Sequence, residues 1–421
     1  MFIKIKDKFF NDYIKKISFL ITGSFFSQLI TFLFLTILSR IYTAEDFGIY
    51  TTFLTLSGSL ALISSLTYHR AIVLPKSNND SFHILILSIF LCIITTLFVL
   101  FGCIYFANFL IIYFGNFTYI IYLIPLRVFQ HGMQLIFDEF SIRNEFYALL
   151  SFLKPSNSLL TSIFQLLPKI LYKFDSLIWG KQLADTFILM ALISIHLYRK
   201  TFQFGTQNIK IFKNVIKRYI YFPKYYLPQI SFNTISQALP FILLPYFFSI
   251  EAAGVYGMAI RALEQPIRLI ATSTQSVYYQ KASKMVAKGE NILNLYIKTS
   301  NGLFKIFIVP AIIIFIFGQE IFGFVFGSQW YESGQVAQIL IIWLLIGFAK
   351  TPSTMTYSIF NLQKVQLVGE SLLLFFRFLS IIFGYLFYNS FIISITLYVI
   401  VSIFVDLFFI FYIYNYLKKN A

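Results

Sequence analysis

The chain has 421 residues, 58% of them hydrophobic and only 12% charged, with a mean hydropathy of +0.77. Water-soluble domains carry roughly a quarter charged residues, so this composition excludes a soluble enzyme and points to an integral membrane protein. The net charge of +16 does not indicate nucleic-acid binding, because the basic residues fall in short connections between apolar runs, where membrane topology is set.

In chain order, a basic preamble over 1–16 (Lys4, Lys6, Lys8, Lys15, Lys16) precedes the first apolar run. That run starts at Ile17 and has no small-residue cleavage site, so it predicts a helix and not a removable leader. About twelve helices of ~20 residues follow from the pattern. They fall near 17–39, 46–67, 82–106, 117–138, 149–171 and 176–198, then 225–247, 254–277, 299–318, 334–357, 365–387 and 390–415. The two sets are separated by a basic segment over 199–224, and a short tail (416–421) closes the chain. Periodic Ile209, Phe212 and Ile216 let that segment lie along the membrane surface; a solvated basic loop is the other reading.

Cations gather in alternate connections: Arg70 and Lys76, Arg143 and Lys154, then Arg199 to Lys224, Lys281 to Lys288, and Lys364. The intervening connections hold mainly Arg40, Lys169 and Lys173 against Glu45, Asp46, Asp175, Glu251, Glu320 and Glu332. This phase predicts cytoplasmic N- and C-termini and an even number of helices.

The chain also repeats itself. Thr43-Ala-Glu45-Asp-Phe-Gly48-Ile-Tyr50 returns as Ser249-Ile-Glu251-Ala-Ala-Gly254-Val-Tyr256, so Glu251 lies 206 positions after Glu45. Six helices per half make the halves parallel repeats, an organisation found in transporters. The expected fold is an all-α membrane protein of two parallel six-helix lobes around a central cavity: an N-lobe over 17–198 and a C-lobe over 225–415.

Chemistry concentrates in the second repeat. Gln229, Asn233 and Gln237 recur every fourth residue and share one face of helix seven, which suits a cavity lining. The counterparts in helix one, Gly23, Ser27 and Thr31, are read either as such a lining or as helix packing. In helix eight Arg261, Glu264 and Arg268 share a face, with Arg261 ~10 Å and Arg268 ~21 Å along the helix from Gly254. Charges at that depth face a wet cavity or a partner. A self-neutralising network is one reading; two cations against one anion also leave an excess that a mobile anion would complement. Pro266 weakens the same helix.

Other intramembrane charges are Arg127, Asp185, Lys305, Lys350, Arg377 and Asp406. Arg127 either pairs with Asp185 or lines the path. Arg377 and Asp406 are expected to neutralise each other, and Lys305 and Lys350 to snorkel to the interface. No nucleotide-binding loop, nucleophile elbow or zinc-helix motif occurs. Cys92, Cys103 and the four scattered histidines match no metal or redox spacing, so no cofactor or metal is expected.

The twelve-helix pattern with [Ser/Thr]-x-Glu-x-x-Gly-[Ile/Val]-Tyr after helices one and seven resembles the polysaccharide transporter branch of the multidrug/oligosaccharidyl-lipid/polysaccharide exporter superfamily, the O-antigen and capsule repeat-unit flippases of lipopolysaccharide and capsule assembly. Gly254-Val-Tyr256 with Arg261 and Pro266 resembles the second-lobe signature of that family, and Leu38-Ser-Arg-Ile-Tyr42 to Tyr50 the first. The resemblance implies a bacterial inner-membrane flippase that moves undecaprenyl-pyrophosphate-linked oligosaccharides to the periplasmic leaflet. It implies proton or sodium coupling, and a polysaccharide polymerase as partner. In that frame Arg261 and Arg268 meet the pyrophosphate, Gln229, Asn233 and Gln237 meet sugars, with Arg127 a further candidate, and Glu264, Asp185 and Asp406 balance charge or couple ions. Two alternatives stay open: an ion-coupled multidrug exporter, which would want an acidic cavity, and a membrane polymerase or ligase, which would want a large outer loop.

Overall fold

The computed structural model describes residues 22–114, 119–172, 176–202, 209–360 and 362–419. The basic preamble, the expected helical turn from Ile17, and Lys173 and Asp175 lie outside them. Every regular element among the described residues is helical. They are α1 (Thr22–Leu38), α2 (Ala44–Ile63), α3 (Asn78–Tyr105), α4 (Ala107–Phe114), α5 (Tyr119–Arg143), α6 (Tyr147–Tyr172), α7 (Leu177–Tyr198) and α8 (Ile209–Arg218). The second half holds α9 (Leu227–Phe247), α10 (Ile250–Ala287), α11 (Leu293–Phe326), α12 (Tyr331–Ala349), α13 (Thr351–Ile359), α14 (Gln363–Tyr388) and α15 (Phe391–Lys419). Among the described residues, eight spans are long and apolar enough to cross a membrane. Phe98 and Phe101 on α3, Leu386 and Phe387 on α14 and Phe404 on α15 are exposed, as side chains on a lipid-facing surface are.

All backbone polar groups in hydrocarbon must be satisfied internally, so a chain this apolar folds as helices. The apolar runs found the long helices but not their ends, and α4 occupies the gap expected between 106 and 117. α10 begins four residues before its run and continues to Ala287, well past 277, and α11 covers Leu293–Phe326 where 299–318 is apolar. Helical hydrogen bonding needs no hydrophobicity, so both helices continue into polar sequence. α10 also runs unbroken through Pro266. The single helix expected over 334–357 is two: α12 ends at Ala349, and α13 starts at Thr351 with Pro352 in its first turn, where proline costs no hydrogen bond. Lys154, Lys281 and Lys284, expected in connections, are inside α6 and α10.

The chain divides into two compact units. Unit 1 comprises Met1–Leu38 and Thr52–Ser231, and unit 2 comprises Ser39–Thr51 and Phe232–Ala421. In unit 1 the core gathers Phe82, Ile84 and Leu85 of α3, Ile136, Phe137 and Phe140 of α5, and Ile188 and Leu192 of α7. α8 sets Val215, with Phe212 and Ile216, against this core, and Tyr68 Oη donates to the Ile216 carbonyl at 3.3 Å. Phe212 and Ile216 of the basic segment thus pack on protein, while the side chain of Ile209 lies outside the described ones.

In unit 2 the short segment Ser39–Thr51 is held by a buried tryptophan. Trp330 Nε1 donates to the Ser39 carbonyl at 2.7 Å, and its ring meets Phe47 edge-on at 5.2 Å. Ser39 Oγ donates to the Phe326 carbonyl at 3.0 Å. The repeated motif explains the rest. Thr43 and Ser249 each cap a helix: Thr43 Oγ1 accepts from Asp46 N at 3.2 Å, and Ser249 Oγ from Ala252 N at 3.3 Å. Glu45 and Glu251 sit in the first turns, where the helix dipole favours negative charge.

The motif glycines then allow α2 and α10 to touch backbone to backbone. A Cβ on Gly48 would lie 2.0 Å from the Ile250 carbonyl oxygen, and one on Gly254 would lie 1.9 Å from that of Ala44. Ile250 is the repeat counterpart of Ala44 as Gly254 is of Gly48, so the contact is reciprocal. Gly48→Ala and Gly254→Ala are each expected to lower the unfolding temperature of the purified protein, by about 1–3 kcal/mol of stability for an overpacked contact. Gly102→Ala, whose Cβ meets open space, is expected to be neutral or stabilising in the same thermal-unfolding measurement.

Candidate functional site

Polar and charged side chains collect in two places, one in each unit. In unit 1 Asp185 of α7 is the hub. It is ion-paired to Arg127 of α5, while its other oxygen accepts from Lys181 Nζ at 2.8 Å and Asn157 Nδ2 at 2.9 Å. Lys181 Nζ also reaches Asn157 Oδ1 at 3.2 Å. Arg127 is thus committed to Asp185 and does not stand free. Beside this network Gln130 Nε2 donates to Thr186 Oγ1 at 2.6 Å, and Gln182 Nε2 to the Leu123 carbonyl at 3.2 Å.

Next to the hub lies a recess of about 210 Å³, bounded by α1, α5, α6 and α7. Its polar lining is Asp138, Lys154, Lys181, Gln134, Asn157, Ser158 and Ser27. Lys154 Nζ donates to Ser24 Oγ at 3.3 Å. Ser27 and Ser158 share a hydrogen bond of 2.7 Å, and Thr31 Oγ1 donates to Ser158 Oγ at 3.3 Å. Gly23 lies so close to Ser151 that a Cβ would be 2.4 Å from its carbonyl oxygen. The small and polar stripe of α1 therefore packs on α6, with Ser27 also reaching the recess.

In unit 2 the α9 stripe leads to a carboxylate that the sequence reading passed over. Gln237 Nε2 donates to Asn233 Oδ1 at 2.9 Å, and Asn233 Nδ2 donates to Glu370 Oε2 of α14 at 3.0 Å. Gln229 stands one turn before Asn233 and is half-buried. On α10, Arg268 grips Glu264 through Nε at 3.1 Å and Nη2 at 2.7 Å. Arg261, one turn earlier, lays its guanidinium over the Tyr50 ring, 4.8 Å from the centroid. Among the described residues no carboxylate lies within ion-pair distance of Arg261.

Arg377 and Asp406 do not neutralise each other. Asp406 pairs with Lys350 and accepts from Trp343 Nε1 at 3.0 Å. Lys350 therefore does not snorkel: the break between α12 and α13 frees it to turn inward. Arg377 is buried with its guanidinium 4.9 Å from the Trp343 ring centroid and 4.5 Å from that of Tyr398. It donates to Ser236 Oγ and Ser402 Oγ, both at 2.9 Å. Cation–π contacts strengthen when desolvated, and here they stand in for the expected carboxylate.

Three residues of these sites, Asp138, Lys181 and Glu370, escaped the sequence reading, and a fourth, Lys154, was read as a connection cation. Each lies in the outer third of a helix, where a charge looks interfacial. The 181/185 spacing of four was the one available signal, since it puts a cation and an anion on one helix face. Removing Asp185 would leave two cations uncompensated. Asp185→Asn is therefore expected to lower stability by about 3–5 kcal/mol, the range for breaking a buried pair, and to cost more in thermal unfolding than Arg127→Met, which leaves Lys181 and Asp185 paired.

Comparison with known proteins places this geometry. The sequence pattern of the family described as "Polysaccharide biosynthesis protein" matches residues 37–335. None of the curated proteins compared matches the chain. Among solved structures, the lipid II flippase MurJ in an inward closed conformation superposes with a TM-score of 0.76 at 14% identity, over 94% of this chain and 87% of its own. An inward-facing multidrug resistance transporter of the MATE family matches with a TM-score of 0.62 at 14% identity, over 95% of this chain and 94% of its own. A MOP superfamily transporter from Pyrococcus furiosus gives 0.61 at 15% identity, over 97% and 96%. At these identities the likeness concerns the fold alone: an all-α, multi-pass membrane protein.

Proposed function

The chain belongs to the polysaccharide biosynthesis protein family, and from that premise we propose that it is a flippase for undecaprenyl-pyrophosphate-linked oligosaccharide repeat units. In this reading it works in the bacterial inner membrane with both termini in the cytoplasm, as the alternating loop charge requires. The headgroup travels from the cytoplasmic to the periplasmic leaflet by alternating access, and a polysaccharide polymerase takes it up there.

What supports the reading is positive charge at membrane depth. A charged side chain at the bilayer centre costs about 2.5–3.5 kcal/mol by insertion scales, so a pyrophosphate needs cations on its way. Arg261 and Arg268 share α10 with one carboxylate, Glu264, which Arg268 holds; Arg261 rests on the Tyr50 ring and hydrogen-bonds the Tyr50 side chain. Arg261 and Arg268 receive the pyrophosphate, with Glu264 released from Arg268 as the anion arrives. Gln229, Asn233 and Gln237 hydrogen-bond sugar hydroxyls. Arg127 is held by Asp185 and balances charge. A proton or sodium gradient couples through Glu264, whose side chain is 27% exposed, against 1% for Asp185 and 3% for Asp406. Asp185 and Asp406 are locked in their pairs.

Deleting the gene in its host is expected to trap undecaprenyl-linked repeat units on the cytoplasmic side and abolish surface polymer. Single unpolymerised units at the surface would point to a polymerase instead, and no change in either pool to a small-molecule exporter. In the complemented strain Arg261→Ala and Arg268→Ala are expected to reduce surface polysaccharide about 10–100-fold, the equivalent of losing a charge-assisted hydrogen bond of about 1.5–3 kcal/mol. Normal polymer in both variants would remove these arginines from the mechanism.

Orientation is tested separately. Both native cysteines are buried, so a cysteine introduced at exposed Lys213 is expected to react with an impermeant maleimide only after the inner membrane is opened.

A further inference from the structure

The recess in unit 1 is not used by the mechanism above, and its chemistry is specific. Lys154 reaches into it with a neutral hydroxyl as its hydrogen-bond partner. Asp138 enters from α5, and among the described residues no cation lies within ion-pair distance of its carboxylate. Lys181, by contrast, is already satisfied by Asp185 and Asn157. An ammonium and a carboxylate thus line one small space without closing on each other. Gln134, Asn157 and Ser158 add amide and hydroxyl groups that both donate and accept.

Size restricts what enters. About 210 Å³ falls short of the roughly 300–1,000 Å³ of pockets for drug-sized ligands. One sugar ring matches this scale, and further rings of a headgroup would lie outside the recess.

Charge restricts it further. Arg127 and Lys181 share the one charge of Asp185, and Lys154 has a hydroxyl alone, so cations outnumber the carboxylates that answer them. The recess therefore offers an ammonium to an anionic group. Asp138 accepts from hydroxyl donors when ionised, and a sugar ring offers several of these where a hydrogenphosphate offers one. We propose that this recess is a subsite for one carboxylate-bearing sugar residue of the carried saccharide, with Lys154 receiving the carboxylate and Asp138 the ring hydroxyls. The proposal rests on the flippase reading for the source of the sugar. It makes Lys154 a selector between acidic and neutral repeat units.

The test is equilibrium binding to the purified full chain in lipid nanodiscs, with a panel of methyl uronosides, their neutral parent methyl glycosides, and inorganic phosphate. At least one uronoside is expected to bind tenfold or more tightly than its neutral parent and than phosphate. Lys154→Gln is expected to abolish that preference while Lys154→Arg keeps it, and Asp138→Asn to weaken uronoside and neutral sugar alike. An unfolding temperature within a few degrees of wild type certifies each variant as folded. Equal binding of acidic and neutral sugars, tighter binding of phosphate, an unchanged preference in Lys154→Gln, or no binding of any probe would each overturn the subsite. No translocation is measured here, so these failures leave the flippase reading standing. Conversely, a deletion strain with normal lipid-linked pools would remove that reading whatever the recess binds.

Discussion

Two helix starts 206 residues apart in sequence touch backbone to backbone. α2 and α10 meet at Gly48 and Gly254, each facing the other helix's backbone. Without a hydrophobic driving force between helices in lipid, association depends on close van der Waals packing, and small residues permit it. Here the fit is self-complementary, as in an isologous interface: residue 48 meets 250, and 254 meets 44. Gly257 meets its own repeat counterpart, Thr51. The Glu-x-x-Gly motif is therefore repeated for a mechanical reason. Its Ser or Thr caps the helix, its Glu answers the dipole, and its Gly lets two such helices touch.

The repeat is symmetric in packing and asymmetric in charge. The counterparts of Arg261, Glu264 and Arg268 are Thr55, Gly58 and Leu62. α2 therefore contributes no ionisable group at the matching depth, and Tyr50 of the first motif takes up Arg261 of the second helix. Tyr256 is instead fully buried against Phe241. Unit 1 obtains its cations from other helices, at Arg127, Lys154 and Lys181. The duplicated scaffold has been kept where backbones touch, and the charges have diverged where they do not.

Most of the architecture was legible in the sequence because the bilayer imposes one rule on every span. Apolar runs located the helices, and the repeat located the motif that joins α2 and α10. The helix ends past 277 and 318 were not legible, since hydropathy marks where a helix is in lipid and not where its hydrogen bonding stops. The sites were legible only in part. The pairing of Arg127 with Asp185 could be proposed from the rarity of such charges. The partners of Asp406 and Arg377 could not, because they depend on the break after Ala349 and on two aromatic rings brought together by three helices. Asp138 and Glu370 went unnoticed, and Lys154 was placed in a connection, for a related reason. Near a helix end a charge normally reaches water, and only the tertiary packing shows that these turn inward.

The buried charges differ in what holds them, and that difference separates scaffold from machinery. Asp406 takes Lys350 and an indole N–H; Asp185 takes two cations and an amide; Arg377 is clasped by two rings and two hydroxyls. Breaking any of these strands a charge in low dielectric, at a cost of several kcal/mol, so they do not exchange partners easily during a transport cycle. Arg268 and Glu264 are different: the arginine side chain is 65% exposed, and an exposed pair of this kind is worth roughly 0–1 kcal/mol. An arriving phosphate, which hydrogen-bonds an arginine bidentately as a carboxylate does, could replace Glu264 at little net cost. A group meant to hand its partner to a passing anion has to be weakly held. By that criterion Arg268 and Glu264 are the pair that the proposed cycle can exchange, and the deeper ion pairs belong to the scaffold.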